Sequence, residues 1–214
     1  MNETSPIIEG LLKIHKIITR GLTTSIRKCD EYLEKQGIPE AEAAGFSMYV
    51  ATLKWVTHAH HLSEDEIAFP YFNGHLEAPY DRLKNDHQII ATLLERIDQC
   101  LPDLSSGGVG RLREVLGEIE KLWIPHIRTE EESFTAEKVH SAVGMTEQQN
   151  IAEKLVVHGS QNAGPGPLAV PFMFYNLEPG DRAVFMMPFP WIVKRFLVPV
   201  VWKRQWKQMS PFLL

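Results

Sequence analysis

Apolar residues recur at helical spacing in four long stretches of the chain. The first carries Ile8, Leu11, Ile18, Leu22, Ile26 and Cys29, with His15 inside the stripe. Ser5 and Pro6 supply a start signal, and Gly37 and Pro39 a stop. A second helix is predicted from Glu40 to Tyr71 or Phe72, with the inner face Phe46, Val50, Leu53, Thr57, His60, Glu64 and Ile67. The third runs from Ala78-Pro79 to Leu101-Pro102 along Leu83, His87, Ile90, Leu94 and Ile97. After Ser105-Ser106-Gly107-Gly108, the fourth spans Val109 to Val139 along Leu112, Leu116, Ile119, Trp123, His126, Glu130 and Phe134. An alternating four-three spacing is the seam of a bundle helix. Four such helices on short connections predict an all-α fold, an antiparallel four-helix bundle filling residues 1–143.

From 144 to 214 the pattern changes. Gly164-Pro165-Gly166-Pro167 and Pro188-Phe189-Pro190 forbid a long regular helix over 159–190. The same region is rich in Phe, Tyr, Trp and Leu, which argues against disorder. The expectation is a C-terminal extension of short helices and extended segments lying over the bundle. Phe172, Phe174, Trp191, Phe196 and Trp202 are then expected to add core. The alternative is that the basic, Trp-rich stretch Trp191–Lys207 lies on an anionic membrane or a partner. The extension would also be placed to cover one end of the bundle and limit access to its interior.

Composition narrows the class. A hydrophobic fraction of 44% in 214 residues is enough to bury a core. The net charge of −5 argues against general nucleic-acid binding. The charge is uneven. Six Lys and Arg and no acidic residue follow Asp181, which leaves −11 on residues 1–181 out of the total of −5. Two cysteines, Cys29 and Cys100, imply no disulfide framework and fit a reducing compartment. The start, Met1-Asn2-Glu3-Thr4-Ser5-Pro6, lacks the basic and apolar regions of a leader. No uninterrupted apolar stretch is long enough to span a bilayer. With a pI near 6.0, these features predict a cytoplasmic protein.

The chemistry lies on the seams. His60-His61-Leu62-Ser63-Glu64 and His126-Ile127-Arg128-Thr129-Glu130 echo each other, each with a histidine followed four residues later by a glutamate. That spacing stacks imidazole and carboxylate on one helix face. A lone seam histidine is commonly a hydrogen-bonded core residue. A buried carboxylate is costly unless it meets a cation or metal. Each seam supplies one histidine, His15, His60, His87 or His126, and two seams add Glu64 and Glu130. Four imidazoles and two carboxylates suit two borderline divalent ions such as iron, without excluding Mn or Zn. Six ligands leave open positions for dioxygen or water.

His61 falls in a polar column with Lys54, His58 and Asp65, so it is placed beside the seam or at the surface, as a hydrogen-bond donor to the site or an alternative ligand. Glu66, Glu131, Glu132 and Asp86 are expected to be solvated or to receive a ligand histidine's other ring N–H. His75, His140 and His158 are given no role. Pro125, just before His126, should kink its helix at a cost of about 3 kcal/mol unless the freed carbonyl finds a partner.

These residues together resemble the hemerythrin-like, or HHE cation-binding, domain proteins. The likeness rests on His15, on His60-xxx-Glu64 followed by Phe69-Pro70, on Asp86-His87, and on His126-xxx-Glu130 with its acidic run. It covers residues 5–140. The Phe-Pro favours His60 and Glu64 over His61 and Asp65. The resemblance implies a four-helix bundle with an oxo- or hydroxo-bridged di-iron centre. In it His15, His60, His87 and His126 would be terminal ligands and Glu64 and Glu130 bridging carboxylates. Members bind dioxygen reversibly, sense oxygen or iron, or handle peroxide and nitric oxide. Dioxygen carriers of the family have a further histidine one turn from the third-helix ligand. Here Leu83 and Ala91 stand there, so a more open or more symmetric site is implied.

The leading expectation is therefore a non-haem di-iron protein that binds or reacts with dioxygen or a related small oxidant. One alternative is a di-iron oxidase or oxygenase acting on a small organic substrate, which a pocket between extension and bundle would favour. Another is an iron-responsive interaction module, in which metal loss unfolds the bundle.

Overall fold

The structure is a computed structural model that describes residues 5–214, apart from the side chains of Ser105 and Ser106. Residues 1–4, read above for the lack of a leader, lie outside the described residues. Among the described residues there are helices and connecting turns and no strand. Helix α1 runs Pro6–Glu34. Its start follows the sequence signal: the Ser5 hydroxyl oxygen accepts the Ile8 N–H at 3.4 Å, and Pro6 sits in the first turn, where its missing N–H costs nothing.

Helix α2, Glu40–Ser63, continues through a π-turn at Glu64–Ala68 into α3, Phe69–Phe72. The second predicted helix is thus one rod with one wide turn. Pro70 accounts for the wide turn. It has no N–H to donate, and its ring would meet the carbonyl four residues back. The Phe69 N–H instead donates to the Glu64 carbonyl, five residues back.

Helix α4 covers Tyr80–Cys100. A 3-10 turn over Leu101–Ser106 ends at Gly107, whose φ of 100° suits glycine. Helix α5 covers Gly108–Ser133 and runs through Pro125 uninterrupted. Pro125 and Lys121 are both exposed, so water can satisfy the Lys121 carbonyl that proline leaves free. The predicted extension of this helix to Val139 is corrected. Phe134 leaves helical geometry at φ −109°, ψ 65°, and Thr135 caps a new helix, α6 (Ala136–Ala142), by accepting the Lys138 N–H. The break lets the Phe134 ring pack against Phe69, Phe72 and Tyr80.

The four long helices pack in a ring: α1 lies against α2 and α5, and α4 lies against the same two. The seam residues named from the sequence are buried inside it, with Leu11 and Ile67 partly exposed.

The extension is a series of helices joined by turns: α7 Met145–Asn162, α8 Gly166–Tyr175, α9 Pro179–Phe185, a π-helix Val193–Val201, α10 Lys203–Trp206 and a 3-10 turn Lys207–Phe212. Helix α7 lies along α1, α2 and the π-turn, while α8 and the last 3-10 turn pack on α2. The closest approach is at Gly45, where a Cβ would stand 2.0 Å from the Gln208 carbonyl oxygen. Ala163, Ala169, Phe172, Leu177, Trp206, Met209 and Phe212 join the bundle's own apolar core. Phe172 and Phe174 are buried, as expected. Trp191 and Phe196 are not: they are 71% and 48% exposed, because the inner side of their helix is taken by Val198. No described helix is long and apolar enough to cross a membrane.

Candidate metal centre

Four helices bring the six seam residues into one chamber. His15 comes from α1, His60 from α2, Glu64 from the π-turn that follows it, His87 from α4, and His126 and Glu130 from α5. All six are buried. Their donor atoms fall into two sets of four, His15–His60–Glu64–Glu130 and Glu64–His87–His126–Glu130. Both carboxylates belong to both sets.

The separations suit neighbouring ligands on one cation. His15 Nε2 lies 3.2 Å from Glu130 Oε2, and His60 Nε2 lies 3.4 Å from Glu64 Oε2. His87 Nε2 is 3.5 Å from the same Glu64 oxygen, and His126 Nε2 is 3.4 Å from Glu130 Oε1. His87 Nε2 and His126 Nε2 approach to 3.1 Å. Two donors each about 2.1 Å from a shared ion stand roughly 3.0–3.4 Å apart at octahedral to tetrahedral angles. Without a cation the set is poorly satisfied. His15 Nε2, His60 Nε2, Glu64 Oε2, His126 Nδ1 and both Glu130 carboxylate oxygens are buried with no hydrogen-bond partner. Buried polar atoms are rarely left so, and a metal would occupy most of them at once.

Carboxylates behind the chamber set the tautomers. His15 Nδ1–H donates to Glu131 Oε1 at 2.8 Å, and His87 Nδ1–H donates to Asp65 Oδ1 at 3.0 Å. Each leaves Nε2 free to face inward. Asp86 stands 3.6 Å from His126 Nδ1, beyond a hydrogen bond. Trp123 forms one wall: its ring centroid is 5.5–6.1 Å from those of His15, His60, His61 and His126. Its indole N–H is held by Thr19 Oγ1 at 2.8 Å. Phe69 forms another wall, parallel to the His87 ring at 5.5 Å.

Burial drives the charge state of the chamber. It pushes the His60 imidazole well below its ordinary pKa, with neighbouring imidazoles adding to the effect. Burial likewise lowers His126, against the opposing charge of Glu130. At His15 burial is outweighed by the neighbouring carboxylates of Glu130 and Glu131, and its pKa is raised. Burial, then the charge of Glu130, then that of Asp65 lift Glu64 well above the carboxylate range. Burial in the metal-free chamber thus favours the protonated form of Glu64 and the neutral form of His60, the form of imidazole that coordinates metals.

The placement of His61 beside the seam or at the surface is corrected: it is buried inside the chamber. It groups with His87 and His126 as a third possible ligand set, and its Nε2 has no hydrogen-bond partner. His58, one turn earlier, is exposed as the polar column predicted. His158 also has contacts that the sequence did not suggest: it bonds Ser63 Oγ and Glu66 Oε2, each at 2.9 Å, and so ties α7 to the turn carrying Glu64. No sequence signal pointed to it, because the pairing joins residues more than ninety positions apart.

The family model described as the hemerythrin HHE cation binding domain matches residues 7–136. The chain belongs to this family. The matched span contains all six seam residues and ends where α6 begins, so the hemerythrin-like part binds metal cations and α7 to the last 3-10 turn lie outside it. No curated protein and no solved structure matches the chain significantly.

Proposed function

We propose that this hemerythrin-like protein is a non-haem di-iron protein that binds or reacts with dioxygen or a related small oxidant. The four long helices are read as an antiparallel bundle around it. His15, His60, His87 and His126 would hold two irons as terminal ligands, with Glu64 and Glu130 bridging. The observation that carries this reading is the membership of both glutamates in both donor sets. A single-ion site has no use for two shared carboxylates.

A pair of irons supplies two electrons and Lewis acidity to a small oxidant when bound. The chain does the rest. Glu131 and Asp65 hold the Nδ1 protons of His15 and His87 and so aim Nε2 inward. Glu64 would hold a cation as its carboxylate, since ligands must be deprotonated. Trp123 and Phe69 keep bulk water from the ligands. A cleft of about 580 Å³ does lie between the bundle's Ile67 and α7, but none of the six candidate ligands lines it. That favours a diatomic or similarly small partner over an organic substrate.

The test is metal content by mass spectrometry, with the visible spectrum of the anaerobically reduced protein before and after exposure to air. Two irons per chain and a new absorption band on exposure are expected. Two zincs, or iron with an unchanged spectrum, would refute the oxygen chemistry.

A further inference from the structure

We infer that the outer face of the C-terminal π-helix is a docking surface for an anionic lipid bilayer. The exposed large apolar residues of this protein are unevenly spread. Among the described residues, half of the fourteen with exposed side chains fall between Val184 and Val201. Ile192, Phe196 and Val200-Val201 follow one another at four or five residues, about one turn of a helix bonded i to i+5, and so form a single stripe. Trp191, at 71% exposure, and Met187, at 66%, extend it. The opposite side of the same helix is held down: Val198 is buried and its carbonyl accepts the Trp206 indole N–H at 2.8 Å. The stripe is therefore presented by a fixed helix.

Charge decides what covers it. Lys194 and Arg195 lie within the stripe's own helix, Lys203, Arg204 and Lys207 follow it directly in the chain, and no acidic residue follows Asp181. Among the described residues none of these five cations is in an ion pair, whereas Lys16, Lys28, Lys54, Arg96, Arg111 and Arg113 of the bundle all have carboxylate partners. Lys194 and Arg195 share a cleft of about 350 Å³ with Met187 and Trp191, so cations and exposed apolar groups stand side by side. Tryptophan and aliphatic side chains bordered by unpaired Lys and Arg are the composition of a helix lying in a bilayer interface. An acidic headgroup layer supplies the counter-charges, and the acyl boundary takes up the apolar stripe. The helix is too short and too charged to span, so the chain would rest on the surface with its acidic bundle turned away.

The experiment is co-sedimentation of the full chain with vesicles. One set is phosphatidylcholine with roughly one-third phosphatidylserine, and the other phosphatidylcholine alone, at about 0.1 M salt. Binding at least about tenfold tighter to the anionic vesicles, and lost at high salt, is expected. The pair Trp191→Ser/Phe196→Ser and the pair Lys194→Glu/Arg195→Glu should each weaken it about tenfold or more. These side chains lie outside the core, so melting temperature and metal content should stay as in the parent. No binding to the anionic vesicles, or binding that both double variants retain, overturns the proposal. So does a concentration-dependent dimer broken by the same variants without vesicle binding, since a second copy would then be the occupant.

Discussion

The imidazole of His61 lies flat on that of His87, ring centroids 4.1 Å apart and planes 13° from parallel. The stack fixes a fifth histidine in the chamber without giving it a carboxylate partner. His60, by contrast, faces Glu64 at 3.4 Å. Substituting His60→Ala or Glu64→Ala should drop bound metal well below two ions per chain. His61→Ala should retain more metal than His60→Ala while altering the visible spectrum, because it loosens His87. Metal analysis of the three variants decides the point; equal losses at positions 60 and 61 would make His61 a ligand.

Glu64 sets a pH dependence of metal uptake. Its pKa is raised by burial, then by Glu130 and Asp65. Between the ordinary carboxylate value and the raised one, the folded metal-free chain keeps a proton that the unfolded chain has lost. Metal-free stability from this group therefore falls as pH rises through that window. Metal binding must expel the same proton, so affinity rises in the same direction. Glu64→Gln should flatten this pH dependence of the metal-free melting temperature and lower bound metal. Calorimetric titration in two buffers of different ionisation enthalpy should show proton release in the parent and less in Glu64→Gln. Equal release in both would assign the proton elsewhere.

Gly45 and Gly10 predict opposite responses to the same substitution. A Cβ at Gly45 would meet the Gln208 backbone, whereas a Cβ at Gly10 meets nothing within 4 Å. Gly45→Ala should cost about 1–3 kcal/mol by overpacking and loosen the last 3-10 turn from α2. Gly10→Ala, inside α1, should add about 0.5–1 kcal/mol of stability. Denaturant unfolding of the two variants checks both signs, and limited proteolysis reads the loosening.

Cys29 should be inert in the folded state. It is fully buried, and burial pushes its thiol up from 9.0 to about 12, with the charge of Asp30 adding to the rise. At pH 8 an aromatic disulfide reagent should label neither Cys29 nor the buried Cys100 until denaturant is added. The folded chain holds the Cys29 proton after the unfolded chain has lost its own. Stability from this group is thus present below about pH 9 and declines as pH climbs toward 12. Rapid labelling of the native protein would contradict the burial of α1 against its neighbours.

The four seams, the start at Ser5 and the meeting of six ligand-type residues were legible in the sequence because three- and four-residue spacing reports one buried face directly. His61 was misplaced for a definite reason. A narrow seam assumes that a helix has one buried side, but α2 is covered by α1, α4, α7, α8 and the last 3-10 turn. A helix buried nearly all round carries no amphipathic signal to separate position 60 from 61. Trp191 and Phe196 misled in the opposite sense: aromatic residues read as core, and only the fold shows that Val198 had taken the inner side. Helix α7 was missed because its pairing with α1 and α2 depends on contacts more than eighty residues apart in the chain, such as His158 with Ser63.

The π-turn after Glu64 acts as a phase shifter. A turn holding one extra residue rotates everything beyond it by about 100° relative to a regular α-helix. Without that rotation Phe69 and Phe72 would point well away from the side that carries Glu64; with it they fall back onto that side, where Phe69 meets His87 and both meet Phe134. Length and direction are thus uncoupled along one rod. A single-residue deletion between Asp65 and Ala68 would remove the extra residue and the wide turn together, so the shortened rod would keep Phe69 and Phe72 in phase with the chamber.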